Sequence, residues 1–144
     1  MIDVKALSTG LKDAKRITKP TILIVDDQEM VLTMVADLLG EMNYNVLTAK
    51  DGLDAVSLFK EIRMRERTGI DLIILDMILP NMDGNETYKK LKEIDPNIKV
   101  VVSTGYDLNN KVCELLSAGA VGFIQKPYHI DKLLGIVRQH ISAN

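Results

Sequence analysis

Short apolar runs alternate with amphipathic stretches from Thr21 onward. The runs are four to six residues long, apolar almost throughout and often β-branched. Such runs are typical of strands that are covered on both faces of a sheet. They are TILIV at 21–25, YNVLTA at 44–49, DLIIL at 71–75, KVVVS at 99–103 and VGFI at 121–124. We therefore predict five buried β-strands.

Between these runs, apolar residues recur three and four positions apart, as they do on one face of an α-helix. The five sets are Val31, Met34, Val35, Leu38, Leu39 and Met42; Ala55, Leu58, Phe59 and Ile62; Thr87, Tyr88, Leu91 and Ile94; Val112, Leu115 and Leu116; and Ile130, Leu133, Leu134, Val137 and Ile141. Strands that alternate with helices form βαβ units with right-handed crossovers. The pattern predicts an α/β fold with a five-stranded parallel sheet, doubly wound by five helices.

The composition fits one globular domain. The chain has 144 residues, of which 47% are hydrophobic and 26% are charged. No apolar run is long enough to span a membrane, and the first residues lack the pattern of a secretory signal. A single cysteine, Cys113, cannot form an internal disulfide, which favours a cytoplasmic location.

The net charge of −2 is unevenly distributed. Residues 1–20 carry five lysines and arginines against two aspartates, so they contribute +3 and the rest of the chain contributes −5. A body with that balance lacks the basic face that nucleic acid requires. We interpret residues 1–19 as an N-terminal extension or linker, with contact to nucleic acid or anionic lipid as the alternative, and residues 20–144 as the domain.

Residues with useful chemistry follow four of the predicted strands. Asp26 and Asp27 follow the first, Asp76 the third, Thr104 the fourth and Lys126 the fifth. In parallel α/β sheets, ligands bind beyond the carboxyl ends of the strands. If the first and third strands are neighbours, three carboxylates meet there, and a hard divalent cation with a lysine ammonium would offset their repulsion. Such a set can stabilise a phosphoryl group during transfer.

Taken singly, these and other polar residues have simpler interpretations. An aspartate after a strand often caps the next helix, and Asp27 is a candidate for that role. We expect His129 to cap the last helix or lie on the surface. His140 is expected near the end of that helix, where a cation is favoured by the helix dipole. The methionines are interpreted as core filler.

Five segments together resemble the receiver domain of bacterial two-component response regulators. They are IVDDQE at 24–29, AKDGLDAV at 49–56, LDMILPNMDG at 75–84, VSTGY at 102–106 and IQKP at 124–127. The resemblance covers about residues 20–142. It implies a flavodoxin-like sheet with strand order 2-1-3-4-5, as in the chemotaxis regulator. The chain would be a single-domain regulator or the receiver module of a hybrid histidine kinase.

The resemblance implies a magnesium site. Asp27 and Asp76 would bind Mg²⁺ directly, Asp26 would bind it through water, and the backbone carbonyl of Ile78 would complete the protein ligands. No other cofactor is implied.

The resemblance also implies how the phosphoryl group is accepted and sensed. Asp76 would be the phosphoacceptor, and Lys126 would neutralise it and then pair with the phosphoryl oxygens. Thr104 would hydrogen-bond the phosphoryl group as a switch residue, and Phe123 would follow it inward. The bond between Lys126 and Pro127 is expected to be cis.

In function, the resemblance implies a phosphorelay module rather than an enzyme, although the module catalyses its own phosphorylation and dephosphorylation. A histidine kinase or a histidine phosphotransfer protein would supply the phosphoryl group. The fourth helix, fifth strand and fifth helix would present the surface for a downstream protein or for a homodimer. Ile78 and Tyr106 offer no carboxylate or amide to orient an attacking water, so we expect a long-lived phosphoryl group.

Other functions of related folds fit less well. Phosphatases of the haloacid dehalogenase type place a DxD motif after the first strand, whereas Asp26 and Asp27 are adjacent. No P-loop or GxGxxG motif follows a strand, and a flavodoxin needs a Ser/Thr/Gly-rich loop where this chain is acidic. The alternative that remains open is a binding module that signals without phosphorylation.

Overall fold

A computed structural model of the chain describes residues 19–65, 69–105 and 109–141. Apart from Lys19, the N-terminal extension lies outside the described residues, so the predicted boundary at residue 20 stays a prediction. Tyr106 also lies outside them.

Five strands and five helices alternate along the described residues. The strands are β1 (Thr21–Val25), β2 (Asn45–Ala49), β3 (Leu72–Asp76), β4 (Lys99–Thr104) and β5 (Gly122–Gln125). The helices are α1 (Glu29–Glu41), α2 (Gly52–Arg65), α3 (Gly84–Ile94), α4 (Asn110–Ser117) and α5 (Ile130–His140). Each predicted strand lies within one residue of its observed bounds. Among the described residues, no helix combines the length and the apolar character that crossing a bilayer would require.

All five strands are parallel, and their order is β2-β1-β3-β4-β5. This confirms the order that the resemblance implied. Val25 at the end of β1 lies beside Leu75 of β3, and Asp76 lies beside Ser103 of β4. The residues that follow β1 and β3 therefore emerge next to each other at the carboxyl edge of the sheet.

The core has two layers, one on each face of the sheet. Leu23 and Val25 face the layer that includes α2, α3 and α4, whereas Ile22 and Ile24 face the layer that includes α1 and α5. Because both faces are covered, the strands are apolar on both faces through their central positions, and most of their polar residues lie at their ends. Burial of each large aliphatic side chain contributes roughly 1.5–3 kcal/mol to folding. The sheet is consequently a rigid base for the loops at its carboxyl edge.

The prediction for the buried methionines is partly wrong. Met77 is buried, but Met30 is 87% exposed and Met64 is 88% exposed. In α1, Leu32 belongs to the core and Met34 is 48% exposed, so the buried stripe is rotated from the predicted one. An apolar periodicity that starts one residue too early or late selects the wrong edge of the stripe.

Candidate functional site

Three carboxylates meet at the carboxyl edge of the sheet. Asp26 and Asp27 follow β1, and Asp76 ends the neighbouring strand β3. One carboxylate oxygen from each residue lies within 4.8 Å of the others. Asp26 is 1% exposed and Asp76 is 5% exposed, whereas Asp27 is exposed. The structure thus brings together the acidic residues that the sequence analysis selected.

The Lys126 ammonium bridges the two buried carboxylates. Its Nζ lies 2.5 Å from Asp26 Oδ2 and 2.9 Å from Asp76 Oδ2. The Lys126 backbone N–H donates a hydrogen bond of 2.7 Å to the carbonyl of Thr104, which holds the residue beside the end of β4. The Lys126–Pro127 peptide bond is cis, as expected.

The surroundings of Lys126 favour its charged form, and the group contains more carboxylates than ammonium groups. Burial raises the pKa of Asp76, and the hydrogen bond from Lys126 opposes that rise. Burial acts to lower the pKa of Lys126, but the hydrogen bonds and charges of Asp26 and Asp76 outweigh it and raise the pKa. With Asp27, the formal charge of the group is −3 + 1 = −2. A divalent cation would neutralise that charge, and the oxygen-only donors suit a hard one.

Each of the two buried carboxylates accepts the same kind of local hydrogen bond, from the backbone N–H two residues further on. The Gln28 N–H donates to Asp26 Oδ1 over 2.9 Å, and the Ile78 N–H donates to Asp76 Oδ1 over 3.2 Å. Each aspartate therefore has one oxygen fixed by the backbone two residues further on and the other directed at Lys126. The capping role considered for Asp27 is wrong, because Gln28 is the N-cap of α1 and makes no side-chain cap bond. The Gln28 N–H, at the start of α1, is bound by the carboxylate of Asp26 and not by that of Asp27.

The remaining predicted site residues surround this centre. Thr104 ends β4 and is 2% exposed, and Phe123 of β5 is half-buried against the α2–α4 layer. Ile78 lies at the rim with 62% of its surface exposed. The switch roles of Thr104 and Phe123, and the carbonyl ligand from Ile78, stay predictions.

Asp83 and Gly84 fix the start of α3 against the strand that carries Asp76. The Asp83 carboxylate caps α3 by accepting from the Glu86 N–H at 2.8 Å. A Cβ at position 84 would lie 2.6 Å from the Cα of Met77 and 2.7 Å from the carbonyl oxygen of Asp76. Only glycine allows this approach. The Asp-Gly pair in the segment LDMILPNMDG is the sequence signal for this feature.

The sequence analysis missed a hydrogen bond beside the site. The hydroxyl oxygens of Ser103 and Tyr128 are 2.5 Å apart, and Ser103 is fully buried next to Asp76 in the sheet register. Burial raises the pKa of Tyr128 to about 12, so its hydroxyl stays protonated at neutral pH. Ser103 lies within the segment VSTGY and Tyr128 directly follows the segment IQKP, but no sequence pattern connects the two residues.

The two histidines lie at the ends of α5. His129 is the exposed N-cap residue without a side-chain cap bond, in agreement with a surface role. His140 ends α5 as predicted, but burial and the charge of Lys99 lower its pKa and so disfavour the cation expected there. The Lys99 ammonium donates to the His140 carbonyl over 2.7 Å and is itself the cation at this helix end.

The family and the similar proteins agree with this geometry. The profile of the response regulator receiver domain matches residues 22–138. Sporulation initiation phosphotransferase F of Bacillus subtilis is 35% identical, over 83% of this chain and 92% of that protein. Chemotaxis protein CheY of the same organism is 30% identical, over 84% of this chain and 97% of that protein. The CheX–CheY–BeF3–Mg²⁺ complex from Borrelia burgdorferi aligns with a TM-score of 0.76 at 30% identity, over 83% of this chain and 87% of that one.

A family profile that matches most of the chain and a relative covered almost in full lead to one conclusion. The chain belongs to the response regulator receiver domains of two-component signalling.

Proposed function

We propose that the chain is a magnesium-dependent phosphoacceptor that takes a phosphoryl group onto Asp76 from a phosphohistidine of a histidine kinase or a histidine phosphotransfer protein. One observation carries most of the proposal. The Lys126 ammonium bridges Asp26 and Asp76 while three carboxylates share one small volume. In a purely structural site we would expect each carboxylate to be balanced by a positive group. Here three carboxylates share one lysine at the edge of the sheet, where Asp27 is exposed.

Magnesium fits the residues present. Asp26, Asp27 and Asp76 would hold it, because Mg²⁺ takes few protein oxygens and keeps positions for water and phosphate. When bound, it would neutralise charge on the phosphoryl oxygens. The relative crystallised with BeF3 and Mg²⁺ supports this choice of metal.

Asp76 is the nucleophile in this proposal. An oxygen of its carboxylate forms a bond to phosphorus while the bond from phosphorus to the imidazole nitrogen breaks, and that nitrogen keeps the electron pair and takes a proton. The Ile78 N–H keeps the carboxylate oriented. The Lys126 ammonium offsets the charge that the phosphoryl group brings.

The signal would leave the site through the end of β4. Thr104 is buried one residue beyond Ser103, the register partner of Asp76, where a new phosphoryl group would offer it an acceptor. Movement of Thr104 would let Phe123 move inward and shift the populations of the α4–β5–α5 surface. A groove of about 770 Å³ between β5 and α5 gives a downstream protein, or a second copy, a place to bind.

The chain would act as a signalling module and not as a turnover enzyme, because the product stays on its own carboxylate. The rival proposal is a binding module that uses the same fold without phosphorylation. The two differ in one measurable property, which is covalent labelling at Asp76.

Intact-mass spectrometry after incubation with acetyl phosphate and Mg²⁺ tests the proposal. We expect a gain of one phosphoryl group, its removal by hydroxylamine, and its absence when EDTA replaces Mg²⁺. Asp76→Asn should take up none. Asp51→Asn is the matched control, because Asp51 is an aspartate in the neighbouring loop that caps α2 by accepting from the Asp54 N–H. Labelling that persists in Asp76→Asn, or none in the native chain, would contradict the proposal.

A further inference from the structure

We propose that the hydrogen bond between Ser103 and Tyr128 positions Lys126 for the reaction at Asp76. This inference rests on the proposed function and adds to it a pair of positioning residues. Neither residue is required to touch the phosphoryl group or the metal.

The first support is the face of the sheet on which the residues lie. Successive side chains point to opposite faces of a sheet, and the α1–α5 face carries one residue from each of four strands. These residues are Ile24, Ile74, Val101 and Ile124. Continuing each alternation by two residues places Asp26, Asp76, Ser103 and Lys126 on that same face at the carboxyl edge. The Ser103 hydroxyl is therefore part of the layer that contains the lysine bridge.

The second support is the way in which the segment carrying Lys126 is anchored. At one end, the Lys126 backbone N–H donates to Thr104 over 2.7 Å. At the other end, the Tyr128 hydroxyl lies 2.5 Å from the Ser103 hydroxyl. Both anchors lead to consecutive residues of β4, so the short segment between them is held to the strand adjacent to β3.

The third support is the nature of lysine. Its four-carbon stem has many rotamers, and an ammonium near solvent gains entropy and hydration by swinging outward. An anchored backbone reduces the directions from which the ammonium can approach. The charges of Lys126, Asp26 and Asp76 also act on the pKa of Tyr128, in addition to the larger effect of burial.

Loss of the hydrogen bond should lower the rate of phosphorylation and leave the chain folded. The loss of a side-chain hydrogen bond of ordinary strength corresponds to roughly a threefold to tenfold change in a rate constant. We expect Tyr128→Phe to lower the rate constant for labelling by acetyl phosphate and Mg²⁺ by that factor. Ser103→Ala should have the same effect, and the double variant should be no slower than either single variant because one bond is lost in each case.

The decisive experiment repeats Tyr128→Phe in a Lys126→Ala background. If Tyr128 acts through Lys126, the substitution should have no further effect there. An equal loss in both backgrounds would reduce the hydrogen bond to a structural role and overturn the inference. A native rate in Tyr128→Phe would overturn it as well.

Tyr44→Phe is the matched control. Tyr44 is 3% exposed in the same core layer, at the opposite edge of the sheet, and its hydroxyl has no hydrogen-bond partner among the described residues. The same chemical change there should leave the rate unchanged.

A second measurement separates this inference from the proposed function. NMR of carbon-13-labelled lysine side chains, with Lys126→Ala used for assignment, reports the surroundings of Lys126 without any phosphoryl donor. We expect its signal to shift towards that of exposed lysines in Tyr128→Phe and not in Tyr44→Phe. An unshifted signal contradicts the inference, whereas absence of label on the native chain contradicts only the proposed function.

Discussion

The two edges of the sheet both carry an aspartate and a lysine, but they use them differently. At the amino edge, Asp71 accepts from the Thr21 N–H over 2.8 Å, and Lys99 donates to the His140 carbonyl. At the carboxyl edge, Lys126 lies against Asp26 and Asp76. The charged groups of the amino edge bind neutral backbone groups, whereas those of the carboxyl edge bind backbone groups and also one another.

Under the proposed function, this difference would separate residues that support the fold from residues held for a reaction. A backbone partner satisfies a charge locally and fixes the ends of strands and helices. Carboxylates that face one another in a desolvated place have an unfavourable interaction that a ligand can relieve. The residue types alone do not reveal this distinction, and their partners do.

The largest expected difference between the two edges appears when Lys126 and Lys99 are each replaced by alanine in separate variants. Lys126→Ala should lower the labelling rate on the order of a hundredfold, since it removes a preformed positive group from the reacting centre. Lys99→Ala should leave the rate unchanged, because its ammonium lies at the amino edge, where it binds the end of α5 and acts on the charge of Asp71. Labelling time courses with acetyl phosphate measure both, and a similar loss in the two variants would remove the distinction between the edges.

The next effect is the response of stability to magnesium. At a concentration 100 times its dissociation constant, a ligand of the folded state adds about 2.7 kcal/mol to the free energy of unfolding. We expect such a gain for the native chain and for Asp71→Asn, and little gain for Asp26→Asn. Urea unfolding with Mg²⁺ and with EDTA gives the values, and a full gain in Asp26→Asn would show that the ion binds elsewhere.

A smaller effect is expected from aspartate substitutions in metal-free buffer. Because burial raises the pKa of Asp76, this carboxyl group binds its proton more tightly in the folded state than in the unfolded state. The free energy of unfolding therefore falls as pH rises from the unfolded pKa of 3.8 towards the folded pKa. Asp76→Asn imitates the neutral form and should be more stable at neutral pH by about 1 kcal/mol. That advantage should vanish below the unfolded pKa.

Asp71→Ala provides the contrast at the amino edge. It removes the acceptor of the Thr21 N–H and should lower the free energy of unfolding by about 1 kcal/mol. Unfolding curves across acidic and neutral pH test both variants. A destabilised Asp76→Asn at neutral pH would show that its carboxylate supports the fold as Asp71 does.

The smallest expected effect concerns the lifetime of the phosphoryl group. Ile78 is 62% exposed at the rim, so Ile78→Asn should fold normally and give an amide that can orient water. We expect dephosphorylation to be faster by about threefold, the worth of one modest hydrogen bond. Leu53→Asn, at a position 52% exposed on α2, is the matched control. An unchanged rate of dephosphorylation in Ile78→Asn would contradict the prediction. Tyr106, the other residue on which the expected long lifetime rests, lies outside the described residues.

Much of the architecture and the centre of the site could be predicted from the sequence because they depend on short-range patterns. The run ILIV at 22–25 is apolar throughout since both faces of the strand are covered. Asp26 and Lys126 directly follow strands, Asp76 is the last residue of one, and parallel strands end at one edge. The neighbouring positions of β1 and β3 came from the resemblance, because a crossover fixes its handedness and not which strand it joins.

The parts that could not be predicted depend on long-range contacts or on small rotations. The hydroxyls of Ser103 and Tyr128 are 25 residues apart in sequence, and two hydroxyl groups leave no periodic signal. The choice of Leu32 over Met34 for the core depends on how α1 is rotated against the sheet. Sequence periodicity gives the existence of an apolar face more reliably than its limits.

The close approach at Gly84 has a consequence for how this chain tolerates variation. The backbone of Asp76 and Met77 fills the volume into which any side chain at position 84 would project. A survey of all substitutions by labelling should therefore find position 84 as intolerant as the acceptor itself, although it contributes no functional group. The proposed reactivity of Asp76 would thus depend in part on a residue whose contribution is the absence of a side chain.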